Sequence, residues 1–423
     1  MKNKKPQVLV SHSGRQHVHQ LCYALQANKF PYWLTTSIWY KPEALYYKVL
    51  NFLPAALHKR VLNNLRKRYF EQLDTNNIYL FPISEVCRQI LQKLSSVKDE
   101  RWIFMAERMH DWYTFRFLAK HIPDIVVGYE KSSYKTFKLA KELKKITILD
   151  LAAVHYTQNI FLRKQYHDFE MMMPDEKLFC RINALKEKEY QYVDYFFVLS
   201  DYAKRTLLNA NIDASKIYTL NIGFDPQKFS LKQAYSPNKT FEILLVGRIS
   251  KLKGIRLLCK AFKELALVNA KLIFVGPMDD GEDVLREYKG YYEHVAFVDQ
   301  QQLVKYYQRA DVFVMPSYTD SWGMVVLEAM ACGTPVIISE NTGSRDAVEK
   351  GGGFIIPVDD IDALKSKLSF FYMNRAQIEI MGREANKVAQ AYTWDNYYTQ
   401  VVNAIEDIWH REHCKMQQFE AAF

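Results

Sequence analysis

Twelve short apolar runs punctuate this 423-residue chain, and most of the intervening stretches carry helical periodicity. In the first half the runs fall at 8–11, 78–82, 125–129, 146–151, 195–199 and 217–222. In the second they fall at 243–246, 271–275, 295–298, 312–315, 336–339 and 354–357. Strands that are apolar along their whole length, set between helices, predict parallel sheets covered on both faces. A chain of this length exceeds one hydrophobic core and predicts two domains of about 200 residues. The break falls at 221–237, where Gly223, Asp225, Pro226 and Pro237 interrupt any periodicity. The expected fold class is therefore α/β: two Rossmann-like domains, each a parallel sheet covered by helices, with a cleft between them. The N-terminal domain is expected over 1–222 and the C-terminal domain over 223–404.

Two segments of the second half carry chemistry. Residues 312–336, VFVMPSYTDSWGMVVLEAMACGTPV, read as a buried strand, a turn with Asp320 and Gly323, and a short helix presenting Glu328. Two carboxylates eight positions apart, across a turn into a helix, suit a polyhydroxylated ligand, because carboxylates accept hydrogen bonds from hydroxyls. The free amides of the helix start, near Gly323, Met324 and Val325, attract phosphate. Residues 241–253, FEILLVGRISKLK, end a strand in Arg248 and Lys253 just before an amphipathic helix. Cations at the C-terminal edge of a parallel strand stand where such sheets bind ligands. There they can hold a diphosphate and stabilise its developing charge.

These segments, in this order and about 70 residues apart, resemble the signature of the retaining family 4 glycosyltransferases (glycosyl transferases group 1) of the GT-B fold. In that family the first acid of the motif is usually Glu, where this chain has Asp320. The resemblance extends to VDYFFVLSDYAKRTLL at 193–208, NIGFDPQKF at 221–229, LVKYYQRADVFVMPS at 303–317 and NTGSRDAVEKGGGFIIPVDD at 341–360. It departs at Asp299-Gln300, where a Gly is usual, and in the first loop, SHSGRQHVHQ, which has one glycine where many relatives have two. Between residues 30 and 120 it is poor.

The resemblance implies transfer of a sugar from a nucleotide-diphosphate-sugar with retention of anomeric configuration. The acceptor would be a saccharide or lipid-linked saccharide in surface polysaccharide or glycolipid biosynthesis. Glu328 would accept hydrogen bonds from the ribose, Arg248 and Lys253 would grip the diphosphate, and Asp320 would contact the transferred sugar. Amides near Gly323, Met324 and Val325 would meet the sugar or its phosphate. Gly14 would admit the backbone from the opposite side, and His155 would orient donor or acceptor. No metal or other cofactor is required in this scheme, because two side-chain cations stand in for a divalent ion. The final helix, with Ala404, Ile405, Ile408 and Trp409 on one face, is expected to pack back on the N-terminal domain through residues 405–423. Two other readings are a non-catalytic nucleotide-sugar-binding scaffold and a GT-B sugar-nucleotide epimerase.

Composition bounds the setting. Six cysteines, at 22, 87, 180, 259, 332 and 414, show no metal-ligand spacing and read as thiols in a reducing compartment. The N-terminal apolar run is too short for a signal peptide. No apolar stretch approaches the ~20 residues needed to span a bilayer. The expected location is cytoplasmic, with peripheral contact to the membrane's cytoplasmic face. Residues 31–70 hold seven Lys or Arg against one Glu, and nine aromatic residues. Such a basic, aromatic segment fits an anionic membrane surface. The net charge of +10 would also attract nucleic acid, but no nucleic-acid module is present and none is expected as a partner.

Overall fold

Both sheets of the protein are parallel throughout. The computed structural model describes residues 5–14, 16–40, 54, 58, 62, 65, 70–94, 100–170, 175–235 and 240–421. The first sheet comprises β1 (Val8–Ser11), β2 (Tyr32–Thr36), β3 (Ile78–Leu80), β4 (Ile125–Gly128), β5 (Ile146–Leu151), β6 (Tyr195–Val198) and β7 (Ile217–Thr219), in the order β3-β2-β1-β4-β5-β6-β7. The second comprises β8 (Phe241–Val246), β9 (Ala270–Val275), β10 (Glu293–Val295), β11 (Val312–Met315), β12 (Val336–Ser339) and β13 (Gly353–Ile356), in the order β10-β9-β8-β11-β12-β13. Their central strands are apolar because helices cover both faces. Val8, Leu9 and Val10 of β1, and Val312 to Met315 of β11, are fully buried.

Each sheet reverses its strand order at one place. Val8 pairs with Tyr32 on one side and Ile125 on the other, and β8 likewise separates β9 from β11. The crevice beyond the strand ends at such a switch point is where α/β sheets bind ligands. Here the two crevices face each other.

The expected fold class matches this architecture, with corrections in detail. Strand β2 falls inside the segment read as a membrane-facing surface. Leu34 and Thr35 are fully buried, as is Trp39 just beyond, so this part of residues 31–70 belongs to the core. Its strand pattern was hidden because the aromatic residues run on into a basic stretch. The basic cluster Lys59, Arg60, Arg66, Lys67 and Arg68 lies outside the described residues. Strand β10 ends at Val295, earlier than expected, because Asp299 forms a capping box with Gln302 and opens the next helix.

The chain passes between the sheets twice, side by side. Phe224 N–H donates to Tyr392 O at 3.1 Å, and Trp394 N–H donates to Phe224 O at 3.3 Å. Gly223 is required at this crossing, since a Cβ there would lie 2.1 Å from the Thr393 carbonyl carbon. The helix Trp394–Ala421 starts at the crossing. It meets the first sheet's domain through Tyr195, whose hydroxyl donates to Glu412 Oε1 at 2.6 Å, while Val401, Ile405 and Ile408 are buried. Among the described residues no helix is long and apolar enough to cross a membrane.

Candidate active site

The loop after β8 and the loop after β11 leave the second sheet at its switch point and are tied to each other. Gly254 closes the first loop with φ 69°, and Tyr318 N–H donates to Leu252 O at 3.0 Å. Asp320 is fixed further by the loop after β12: its N–H donates to Asn341 O at 2.9 Å, and its carbonyl accepts from Gly343 N–H at 2.8 Å. These bonds hold the Asp320 side chain at the cleft. Its Oδ1 accepts from Trp322 N–H at 3.0 Å, and its Oδ2 is bonded to Lys253 Nζ.

Gly323 turns the chain from Asp320 into the helix Met324–Ala331 with φ 82°. A Cβ at that position would come within 2.8 Å of Met315 Cε, so both the angle and the space call for glycine. The first intrahelical bond is Val326 N–H to Gly323 O, which leaves the Met324 and Val325 amides at the cleft. With the partial positive charge of a helix start, they suit an anion.

The cleft has a volume of about 630 Å³ and lies between the two sheets. It brings together Arg248, Lys253, Asp320, Gly323, Met324 and Val325. Lys253 and Asp320 are each 18% exposed, whereas Arg248 is 73% exposed and reaches Asp279 at 3.4 Å. Lys253 is therefore a shielded, pre-positioned cation and Arg248 a solvent-exposed one at the mouth. Glu328 lies one turn beyond Met324. Tyr307, fully buried, donates its hydroxyl to Glu328 Oε2 at 2.8 Å. Burial pushes the Glu328 carboxyl up to about 6, against the opposing effect of the Tyr307 hydroxyl.

The remaining expected residues stand elsewhere. His155 caps the helix Tyr156–Gln165. Its Nδ1 lies 2.7 Å from Thr157 Oγ1, and its ring centroid is 5.1 Å from that of Tyr190. Burial lowers its pKa to about 4, and it is not among the described residues lining the cleft. Gly14 donates its N–H to His12 Nδ1 at 2.7 Å. The same loop reaches the cleft through Gln16 and His17 instead.

His17 is the residue that reading the sequence missed. It is buried, lines the cleft from the side opposite Asp320, and its Nε2 lies 2.7 Å from Asp150 Oδ2. Tyr129 donates its hydroxyl to the same carboxylate oxygen at 2.8 Å. Asp150 follows His17 by 133 residues, so no local pattern joins them. Only the pairing of β1, β4 and β5 brings the three together. Trp322 was also missed: it borders the cleft with its indole N–H buried and unpartnered. The domains touch beside it, where Ser321 Oγ donates to Ala152 O at 2.7 Å and Ser200 Oγ donates to Ser321 O at 2.8 Å. Among the described residues no group of three or more His, Cys, Asp or Glu side chains is placed to hold a metal ion.

Known proteins resemble this chain in sequence and in fold. Residues 227–388 match the sequence model of the family described as glycosyl transferases group 1. An uncharacterized glycosyltransferase of Methanocaldococcus jannaschii is 30% identical over 221 residues, covering 46% of this chain and 54% of that protein. The O-antigen chain mannosyltransferase B of Escherichia coli is 29% identical over 170 residues, covering 38% of this chain and 44% of that protein. The chain thus spans about half the length of the curated relatives it matches. The structure of Anabaena Alr3699/HepE in complex with UDP and glucose superposes with a TM-score of 0.61 at 13% identity, over 95% of this chain and 100% of that one. Residues 227–388 thus match the glycosyl transferases group 1 model and sit within a two-domain fold of the GT-B type.

Proposed function

We propose that this protein transfers a sugar, with retention of configuration, from a nucleotide-diphosphate-sugar to a saccharide or lipid-linked saccharide. The observation that carries the reading is the pre-positioned Lys253 ammonium beside Asp320, facing the free amides of Met324 and Val325 in one cleft. The diphosphate lies between Lys253, Arg248 and those amides, and Asp320 accepts hydrogen bonds from the donor sugar. Glu328 accepts them from the ribose. As the bond from the anomeric carbon to the phosphate oxygen breaks, the acceptor oxygen bonds to that carbon on the same face. The acceptor's proton departs with the leaving phosphate. Lys253 and Arg248 supply the charge stabilisation that a divalent metal gives elsewhere, so transfer proceeds without one.

The Anabaena neighbour's bound UDP and glucose support a nucleotide-sugar as donor, and the Escherichia coli relative supports an acceptor of surface-polysaccharide type. Six free cysteines fit a cytoplasmic setting. Contact with an anionic membrane through Arg66, Lys67 and Arg68 completes the reading. Reversing these three to Glu should abolish binding to anionic vesicles, and unchanged binding would remove that element alone.

The first test is thermal stabilisation by UDP, GDP, ADP, CMP and their sugar conjugates. Ligand at a hundred times its Kd adds roughly 2.7 kcal/mol to folding. One base should stand out, and Glu328→Ala should lose the effect. Stabilisation without release of nucleoside diphosphate to any acceptor would favour a scaffold. Conversion of the sugar nucleotide with no acceptor present would favour an epimerase.

A further inference from the structure

Behind His17 the N-terminal domain holds a second cavity, of about 240 Å³, that meets the donor cleft at Gln16 and Ala152, which line both. We propose that this cavity is the acceptor subsite and that it selects an uncharged or amino-bearing sugar ring over an acidic one. The inference rests on the transferase reading above and adds the chemical class of its acceptor.

The cavity lies beyond the C-terminal ends of β1, β4 and β5, on the first sheet's side of the switch point. Its charged wall is made by Glu107, Glu130, Lys131, Asp150 and Lys186. Both ammonium groups are already engaged. Lys186 Nζ lies 2.8 Å from Glu130 Oε2, both side chains being 9% exposed, and Lys131 Nζ lies 3.1 Å from Glu107 Oε2. His12 adds no charge near neutral pH, since burial lowers its pKa to about 4.

Asp150 is left as the unbalanced group. It is 1% exposed, and its Oδ2 is occupied by Tyr129 and His17, while its Oδ1 is buried with no hydrogen-bond partner. A carboxylate oxygen held out of water without a donor is unfavourable unless a ligand brings one. A sugar hydroxyl or a protonated amine brings a donor; a carboxylate or phosphate brings only further acceptors. With both ammonium groups paired and the His17 ring engaged by Asp150, the described groups of the cavity offer an acidic ring no free cation. The position is right for transfer. The Ala152 carbonyl at the junction is bonded by Ser321, the neighbour of Asp320 on the donor side.

The test compares p-nitrophenyl glucoside, glucosaminide and glucuronide as acceptors for the full-length protein and for Asp150→Asn and Glu107→Gln. Transfer is read as nucleoside diphosphate release, glycoside binding by saturation-transfer NMR, and donor binding by thermal stabilisation. The glucoside or glucosaminide should exceed the glucuronide at least tenfold in kcat/KM. Asp150→Asn should raise the acceptor KM about tenfold with stabilisation by nucleotide unchanged, and Glu107→Gln should narrow the preference several-fold. Should Asp150→Asn not fold, the Glu107→Gln preference decides. A preference for the glucuronide, or an unchanged acceptor KM in folded Asp150→Asn, overturns the proposal. Nucleotide binding with no glycoside binding likewise overturns it while leaving the donor reading intact. Glycoside binding that depends on Asp150, without transfer, keeps the sugar site and removes the transferase reading.

Discussion

Replacing Lys253 by Met keeps most of the side-chain stem and removes only the ammonium. In the cleft the Lys253 side chain is 18% exposed and its ammonium is already held by Asp320, so it meets a diphosphate without reorganising. It has three N–H donors, and the bond to Asp320 uses one. Two unit charges 4 Å apart at an effective dielectric constant of 20 attract by about 4 kcal/mol. Asp320 and residual water screen part of this, leaving the range of about 2.7–4 kcal/mol seen when one preorganised donor is removed, or 10²–10³ in turnover. The effect on stability is much smaller. Because the pair lines the cleft, water can reach Asp320 once the ammonium is gone, so the loss stays near the surface-pair value of up to about 1 kcal/mol, and in a domain of this size that shifts Tm by roughly 2–4 °C. Lys253→Met should therefore lose at least a hundredfold in nucleoside diphosphate release at saturating substrates while melting within a few degrees of wild type. Adding Asp320→Asn should recover the small Tm loss, by removing the unpaired carboxylate, and recover none of the turnover. Turnover within fivefold of wild type would refute the assignment of Lys253 to the diphosphate. So would an activity loss that simply follows the fraction unfolded.

Other expectations follow from the same geometry. Glu328, raised to about 6 by burial, binds protons more tightly folded than unfolded. Its contribution to stability is thus present below the unfolded value of 4.5 and fades as pH rises through about 6. Donor binding needs the ionised carboxylate, so donor KM should fall as pH rises from 5 to 7. Tyr307→Phe, which removes the hydroxyl that favours ionisation, should move that inflection to higher pH, and a titration of donor KM checks both. Gly323→Ala forces φ 82° on an alanine and drives its Cβ to within 2.8 Å of Met315. A Tm loss of several degrees and a weaker nucleotide shift in the same thermal scan are expected. At the crossing, Gly223→Ala places a Cβ 2.1 Å from the Thr393 carbonyl carbon. It should disrupt the paired passages, giving one broadened or two separate melting transitions by calorimetry.

The residues proposed to hold the donor were legible because they are close in sequence. Arg248 and Lys253 share one loop, and Asp320, Gly323 and Glu328 share one strand-turn-helix unit whose local chemistry is explicit. The doubly wound architecture was legible for a related reason: strands covered on both faces must be apolar along their length, so they stand out as runs. Strand β2 escaped because its residues, YWLTT, include two threonines and adjoin further aromatic and basic residues. Alternation and composition there describe a surface segment as well as an interior one. Glu328 was found as a carboxylate, but its buried partner Tyr307, 21 positions earlier, was not. That pairing depends on how the helix Gln300–Arg309 packs on the helix Met324–Ala331.

The acceptor side was illegible for a reason rooted in topology. In a doubly wound sheet, neighbouring strands at the switch point are separated by entire crossover units, so His17, Tyr129 and Asp150 come together from three distant places. None of them carries a local pattern: a histidine before a helix, a tyrosine after a strand and an aspartate inside one are each ordinary. What marks them is a shortage of partners in the fold. Three polar groups converge out of water, and one carboxylate oxygen is left without a donor. A donor that must recognise a common diphosphate can be held by a compact local motif. An acceptor whose chemistry differs from one enzyme to the next needs a wall assembled from several strand ends, each free to vary. On the proposed reading, the recognisable part of the site falls in residues 241–336 and the part that decides specificity around Asp150.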